Sequence, residues 1–255
     1  MRLATWNILH GRSLDDGLVD EVRLRAAIAG LDADVLGVQE VDRGQSRSGG
    51  LDLAASVAAG AGARHWRFLA ALRGTVDGQW RVPVDADDTS AEPAYGSEEP
   101  AYGIALMSRH PVRSWHTLRL APLPSPPMSG RLPWPHDEPR VALAAVVETP
   151  LGVMTVASTH LSVVRGWSAV QLRMVSRWLR SLPEPQVVLG DLNMSARAAG
   201  VASGLRLLAR HPTHPSPAPR VQLDHVLVRG VLPPVQASAA PRLSVSDHRP
   251  IVVQL

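Results

Sequence analysis

The chain has 255 residues and a mean hydropathy of zero, which suits one water-facing domain with a substantial buried core. It contains no cysteine, which excludes disulfide frameworks, thiolate metal centres and cysteine nucleophiles. Its 26 basic residues are all arginine, and residues 159–255 carry eleven of them against four acids. That excess can attract a phosphate-bearing substrate but equally describes a solvated arginine-rich surface, so charge alone does not select nucleic acid.

Met1 leads directly into a strand at 2–8 with no long apolar run. The sequence therefore predicts neither a secretory leader nor a membrane span, and places the protein in the cytoplasm. A helix is expected over 18–29, from the spacing of Val22, Arg25, Ala26 and Ala29. A short buried strand at 34–39 follows and delivers Glu40 at its end. A helix at 50–61 leads to a strand at 65–72. Residues 74–100 are rich in Asp, Pro, Glu and Gly and read as a long exposed loop. Strands at 102–108 and 112–120 come next, then a second long loop over 121–139 with seven prolines and Trp134.

Strands at 140–148 and 153–160 read as a hairpin turned by Pro150–Gly152. A helix over 168–182 carries Val170, Met174, Val175, Trp178 and Leu179 broadly on one side. A buried strand at 186–189, a short helix at 204–208 and strands at 222–228 and 250–253 complete the chain. The pattern indicates an α/β sandwich-like fold. We read 1–255 as one domain, because a break in the proline-rich loop would leave an incomplete polar site in each half.

The recurring feature is an apolar strand that ends in a charged or amide side chain. It occurs at Asn7, Glu40, His160, Asp191 with Asn193, Asp224, and Asp247 with His248. Capping or a turn explains any one of these, but not all six together; α/β folds gather reactive groups at one rim of strand ends. Glu40, Asp191 and Asp247, with the amides of Asn7 and Asn193, form a hard-oxygen set suited to Mg²⁺ or Mn²⁺ rather than structural zinc. A phosphoester needs an activated nucleophile and neutralisation of developing oxygen charge. His248 can accept a proton from water if a carboxylate holds its other ring nitrogen, and Asp224 is the best candidate for that carboxylate. His160 can donate to a phosphoryl or leaving-group oxygen.

In this respect the chain resembles the endonuclease/exonuclease/phosphatase superfamily of metal-dependent phosphoesterases. The resemblance runs in order through TWNILHG (5–11), VQEVD (38–42), YGIALMSR (102–109), EPR (138–140), STHL (158–161), LGDLN (189–193), QLDHV (222–226) and SDHRP (246–250). It implies a four-layer αββα sandwich with the site at one end of two packed mixed sheets. It further implies that Glu40 is the principal metal carboxylate with Asn7 nearby, and that Asp191 and Asn193 orient water and phosphate. By the same resemblance Asp247 organises the metal or phosphate site, and His248, supported by Asp224, serves as base or phosphate contact. The division of the base role between Asp191 and His248 stays open. His160 is similar to the histidine of the deoxyribonuclease and sphingomyelinase branches.

Arg140, Tyr102, Trp134 and Trp167 are the candidate substrate contacts, each with an anchoring or packing role as its competitor. His10, His136, His211 and His214 read as surface or structural, and His225 as a buried, satisfied ring. Leu9 and Asp42 replace the Asp and Lys typical of the abasic-site repair branch, which disfavours DNA repair. The chain also lacks a compact basic stripe for tracking many phosphates. The expected substrate is a compact phosphodiester. The alternatives are a small or inositol-type phosphomonoester, nucleic acid, a lipid headgroup, and a noncatalytic phosphate-binding protein on the same scaffold.

Overall fold

The computed structural model describes residues 1–75, 78–83, 99–123 and 137–255. The elements in chain order are β1 (Arg2–Asn7), α1 (Glu21–Leu31), β2 (Val35–Arg43), α2 (Leu53–Ala61), β3 (His65–Gly74), β4 (Trp80–Arg81), β5 (Ala101–Ser108) and β6 (Val112–Leu120). They continue with β7 (Arg140–Thr149), β8 (Gly152–His160), α3 (Trp167–Trp178), β9 (Gln186–Asp191), α4 (Ala196–Ser203), β10 (Arg206–Leu207), β11 (Asp224–Arg229), β12 (Ala237–Ala239) and β13 (Ile251–Gln254). Among the described residues, seven strands form one sheet in the order β12-β13-β1-β2-β5-β3-β4, and six form the other, β10-β11-β9-β8-β7-β6. Both sheets are mixed, with β1 parallel to β2 and β8 parallel to β9.

The two sheets pack face to face over a core that includes Leu3, Leu69, Leu106, Leu143, Val156, Leu189, Val226 and Ile251. Helices α1 and α2 cover the outer face of the first sheet through Leu24, Ile28, Leu53 and Val57, packed with Trp6 and Leu36. Leu172, Val175 and Ala199 of α3 and α4 cover the second sheet, against Ala157, Val188 and Leu227. The result is the expected αββα sandwich. Its central strands are covered on both faces, which is why β5, β7 and β9 read as near-continuous apolar runs rather than alternating ones. No helix among the described residues is long and apolar enough to cross a membrane.

Helix limits follow their caps. Asp20, Asp52 and Ser195 accept hydrogen bonds from the backbone N–H of Arg23, Ala55 and Ala198, satisfying donors that a first helical turn leaves free. The helix expected at 204–208 is not there. Gly204 (φ +68°) ends α4, which spans Ala196–Ser203, and Arg206–Leu207 pair as strand β10 with β11. The long loop expected at 74–100 also contains β4, which pairs with the end of β3.

Glu40 does not end its strand. Strand β2 continues to Arg43, and its register against β5 slips between Gln39 and Val41, so Glu40 occupies a bulge with φ +55°. Strand β3 slips against β5 in the same way between Ala70 and Leu72. Between the two bulges lies Gly103, where a Cβ atom would stand 2.1 Å from the Leu69 carbonyl oxygen. Only glycine fits that approach. We predict that Gly103→Ala destabilises the protein by roughly 2 kcal/mol, as overpacking against rigid backbone does, measured by urea unfolding. A wild-type midpoint would show that the sheet yields at this point.

Candidate active site

Parallel pairing places the C-terminal ends of β1 and β2, and of β8 and β9, at one rim. Asn7 ends β1, and His160 and Asp191 end β8 and β9, directly opposite each other in register. Strand β11 runs antiparallel to β9, so its first residue, Asp224, pairs with Asp191. Asp247 and His248 arrive on the turn before β13. There Ser246, at φ +71°, donates its hydroxyl to the Asn7 carbonyl (2.6 Å) and accepts the His248 N–H (3.0 Å). The Trp6 indole donates to the His248 carbonyl at 3.0 Å.

These groups are bonded into one constellation. The Asn7 amide nitrogen donates to Glu40 Oε1 (2.9 Å) and to Asp191 Oδ2 (3.1 Å). Its carbonyl oxygen accepts from the Leu9 N–H, so the amide faces the carboxylates with its donors. Asp191 Oδ1 accepts the Asn193 N–H at 3.0 Å, and the Asn193 side chain donates to the Leu161 carbonyl. His248 Nδ1 donates to the fully buried Asp224 Oδ2 at 2.8 Å, leaving Nε2 3.8 Å from Asp191 Oδ2. His160 Nε2 lies 3.6 Å from the same oxygen.

The two histidines are driven in opposite directions. Burial disfavours a charge on His248, but Asp224, by charge and hydrogen bond, together with Asp191 and Asp247, outweighs it and lifts the ring to about 10. Burial and the Arg140 guanidinium push His160 down to about 3, leaving it neutral. Glu40 is raised above the ordinary carboxyl range, first by burial and then by Asp191 and Asp247, while the Asn7 hydrogen bond lowers it. In that charge state the free Nε2 of His248 is a hydrogen-bond donor.

Asn7, Glu40, Tyr102, Arg140, His160, Asp191, Asn193 and His248 all line one open cleft of about 430 Å³. Asp224 lies behind it, and Asp247 is half-buried beside His214, whose Nε2 is 3.7 Å from its carboxylate. Trp167 is not brought to this cleft: the first residue of α3, it donates its indole N–H to the Ala121 carbonyl at 3.2 Å. Trp134 and His136 lie outside the described residues.

Sequence reasoning passed over several cleft residues, among them two that carry ionisable nitrogen, His214 and Arg47. His214 was read as surface or structural, yet it lines the cleft with its ring 4.8 Å from that of His248. Arg47, on a short turn after β2, also lines it. No strand-end pattern marks either residue. His225 is fully buried as expected, with Nε2 donating to the Met194 carbonyl at 2.8 Å, but its Nδ1 is buried without a hydrogen-bond partner, so the ring is only half satisfied.

Residues 4–248 match the profile of the Endonuclease/Exonuclease/phosphatase family. No curated protein matches the sequence significantly. Among solved structures, an endonuclease/exonuclease/phosphatase from Beutenbergia cavernae DSM 12333 is 26% identical, with 99% of this chain and 70% of that one covered and a TM-score of 0.65. A mannosyl-6-phosphatase from Bacteroides thetaiotaomicron VPI-5482 (15% identity, 100% and 98% covered, TM-score 0.62) shares the fold. So does a sphingomyelinase C from Streptomyces griseocarneus (15% identity, 99% and 98% covered, TM-score 0.62).

The Asp224–His248 pair sets a pH dependence. A ring raised from 6.5 to about 10 contributes stability that is full below pH 6.5 and is lost as the pH rises through 10. In metal-free protein, imidazole ¹H–¹⁵N NMR should find the wild-type ring still protonated at pH 9. In Asp224→Asn it should titrate near or below 6.5, because burial then dominates. The melting temperatures of the two proteins should converge between pH 6.5 and 10. A wild-type ring that titrates near 6.5 would contradict this account.

Proposed function

The chain belongs to the endonuclease/exonuclease/phosphatase family, and from that membership and the cleft geometry we propose that it is a divalent-metal-dependent hydrolase of a compact phosphodiester. The observation that carries this reading is the His248–Asp224 pair at 2.8 Å, whose free Nε2 faces Asp191 beside Glu40 in a cleft sized for a small ligand.

The donor set fits Mg²⁺ or Mn²⁺. Glu40, Asp191 and Asp247 crowd like charges together; Glu40 is held above its ordinary range, and Asp247 Oδ1 is buried without a hydrogen-bond partner. Glu40 and Asp247 would hold the ion, with Asn7 positioning Glu40 through its amide rather than offering its carbonyl oxygen. When bound, such an ion supplies Lewis-acid polarisation of a phosphoryl oxygen and neutralises its developing charge.

The remaining work falls to the chain. Asp191, with one oxygen held by the Asn193 N–H and the other by Asn7, orients the attacking water and accepts its proton. The protonated His248 donates from Nε2 to a phosphoryl oxygen, and Asp224 keeps that ring charged and aimed. Neutral His160 donates a hydrogen bond on the Arg140 side of the cleft to the leaving oxygen, which departs as the ester P–O bond breaks and takes its proton from solvent. This division gives the base role to Asp191 and the electrophilic role to His248.

We predict that chelation abolishes hydrolysis of bis(p-nitrophenyl) phosphate and that Mg²⁺ or Mn²⁺ restores it. Glu40→Gln should lose at least about 100-fold in rate, yet melt no lower than wild type when metal-free, since it removes a buried like charge. Asp191→Asn should lower kcat by about 100-fold or more with little change in KM. Full turnover in chelator, or a wild-type rate for Glu40→Gln, would end the metal-dependent reading. The same assay run on plasmid DNA, inositol phosphates and choline phospholipids tests the substrate. Plasmid nicking far above every small-substrate rate would replace the compact diester by nucleic acid.

A further inference from the structure

The cleft holds two guanidinium groups to which the proposed chemistry gives no contact with the substrate, Arg47 and Arg140. Arg140 is only 6% exposed, and among the described residues its Nε is buried without an acceptor and its one ion-pair partner, Glu138, is 3.3 Å away and about half exposed (48%). A buried guanidinium so thinly paired is costly unless an anion completes it. Arg47 is prepared differently. Asp42, fully buried, takes its Nε and Nη2 at 2.8 Å each, which fixes the guanidinium plane and leaves Nη1 outside the clamp. That guanidinium lies 5.3 Å from the ring centroid of Tyr102, which lines the same cleft.

Neither arginine hydrogen-bonds Glu40 or Asp191; each has a carboxylate of its own in Asp42 or Glu138. Their direct partners therefore lie outside the reaction centre, and Glu40 bears on Arg47 through its charge alone. A phosphodiester carries a single negative charge, which His248 and the metal already address. We propose that Arg47, Tyr102 and Arg140 form a subsite for a second anionic group of the substrate, separate from the scissile phosphate. The subsite rests on the phosphodiesterase reading and narrows it to small molecules that carry a phosphate or carboxylate beside the ester that is cut. Glu138 competes with that group for Arg140.

The test uses two compact substrates with one leaving group. One is the p-nitrophenyl phosphate diester of 1,3-propanediol, and the other is the same ester phosphorylated on its free hydroxyl. A carboxymethyl version of the second separates phosphate from carboxylate recognition. Wild-type protein with Mg²⁺ or Mn²⁺ should favour the phosphorylated substrate, the carboxymethyl one, or both, by about tenfold or more in kcat/KM, the scale of one charge-assisted hydrogen bond. Arg140→Gln should bring that ratio towards unity. So should the double variant Asp42→Asn/Arg47→Gln, which avoids stranding a buried carboxylate. Glu138→Gln, at a half-exposed position, should raise it. Hydrolysis of the simple diester with no preference for either charged analogue overturns the subsite and leaves the phosphodiesterase reading standing. A preference that survives both arginine changes also overturns it. Failure of wild-type protein to cleave these substrates or bis(p-nitrophenyl) phosphate with either metal removes the phosphodiesterase reading, and the subsite with it.

Discussion

One side-chain amide joins the two sheets at the mouth of the cleft. Asn7 belongs to the first sheet, and its NH₂ group spans Glu40 of that sheet and Asp191 of the second. A donor shared by two carboxylates from different sheets offsets their mutual repulsion, which is strong where water is sparse. Beneath this bridge the sheets are joined by a second, buried polar contact. Gln39 donates to Thr5 (3.2 Å) and to Ser158 (3.2 Å), and all three side chains are fully buried. A satisfied polar group inside an apolar interface fixes the relative position of two surfaces that hydrophobic packing alone would leave free to slide. The placement of every strand end at the rim depends on these crossings.

The electrostatic plan follows from the same geometry. Carboxylates from both sheets converge on one region, and the chain offsets them with a single raised imidazole rather than with arginine. His248 and His160 both come within 4 Å of the same Asp191 oxygen, yet they sit in opposite charge states. What separates them is the second neighbour. Asp224 stands behind one ring, and the Arg140 charge bears on the other.

Part of this was legible in the sequence because three informative residues end apolar strands: Asn7, His160 and Asp191 are where a strand-end reading puts them. Asp224 instead begins β11, and His248 lies on the turn before β13, so those two were named correctly although no apolar strand ends at them. Glu40 was found for a partly wrong reason: it lies inside β2, on a bulge. Where both faces of a strand are buried, the polar–apolar alternation that would reveal a skipped residue is absent. Arg47 and His214 were not legible, because their places in the cleft come from tertiary contacts, a bidentate pair with Asp42 and a ring contact with His248. Trp167 was misjudged because a tryptophan near a loop reads the same whether its indole meets a ligand or a backbone carbonyl. Helix α4 was missed because Ala196–Ser203 is dominated by alanine and glycine, while Leu205, Leu207 and Leu208 drew the helical reading one segment too far.

The paired bulges flanking β5 have a consequence for how this chain tolerates change in length. Strands β2 and β3 each spend one extra residue, Glu40 and Ala71, where β5 passes through Gly103. The two insertions keep β2 and β3 in phase with each other across β5, so residues beyond the bulges meet the same partner rows on both sides. Loss of one codon at either strand would put one side of β5 a step out of phase with the other and turn its side chains to the wrong face. Glu40, the proposed metal carboxylate, and Ala71, which lines a small pocket with Tyr102, Arg140 and His160, thus act as a matched pair of insertions.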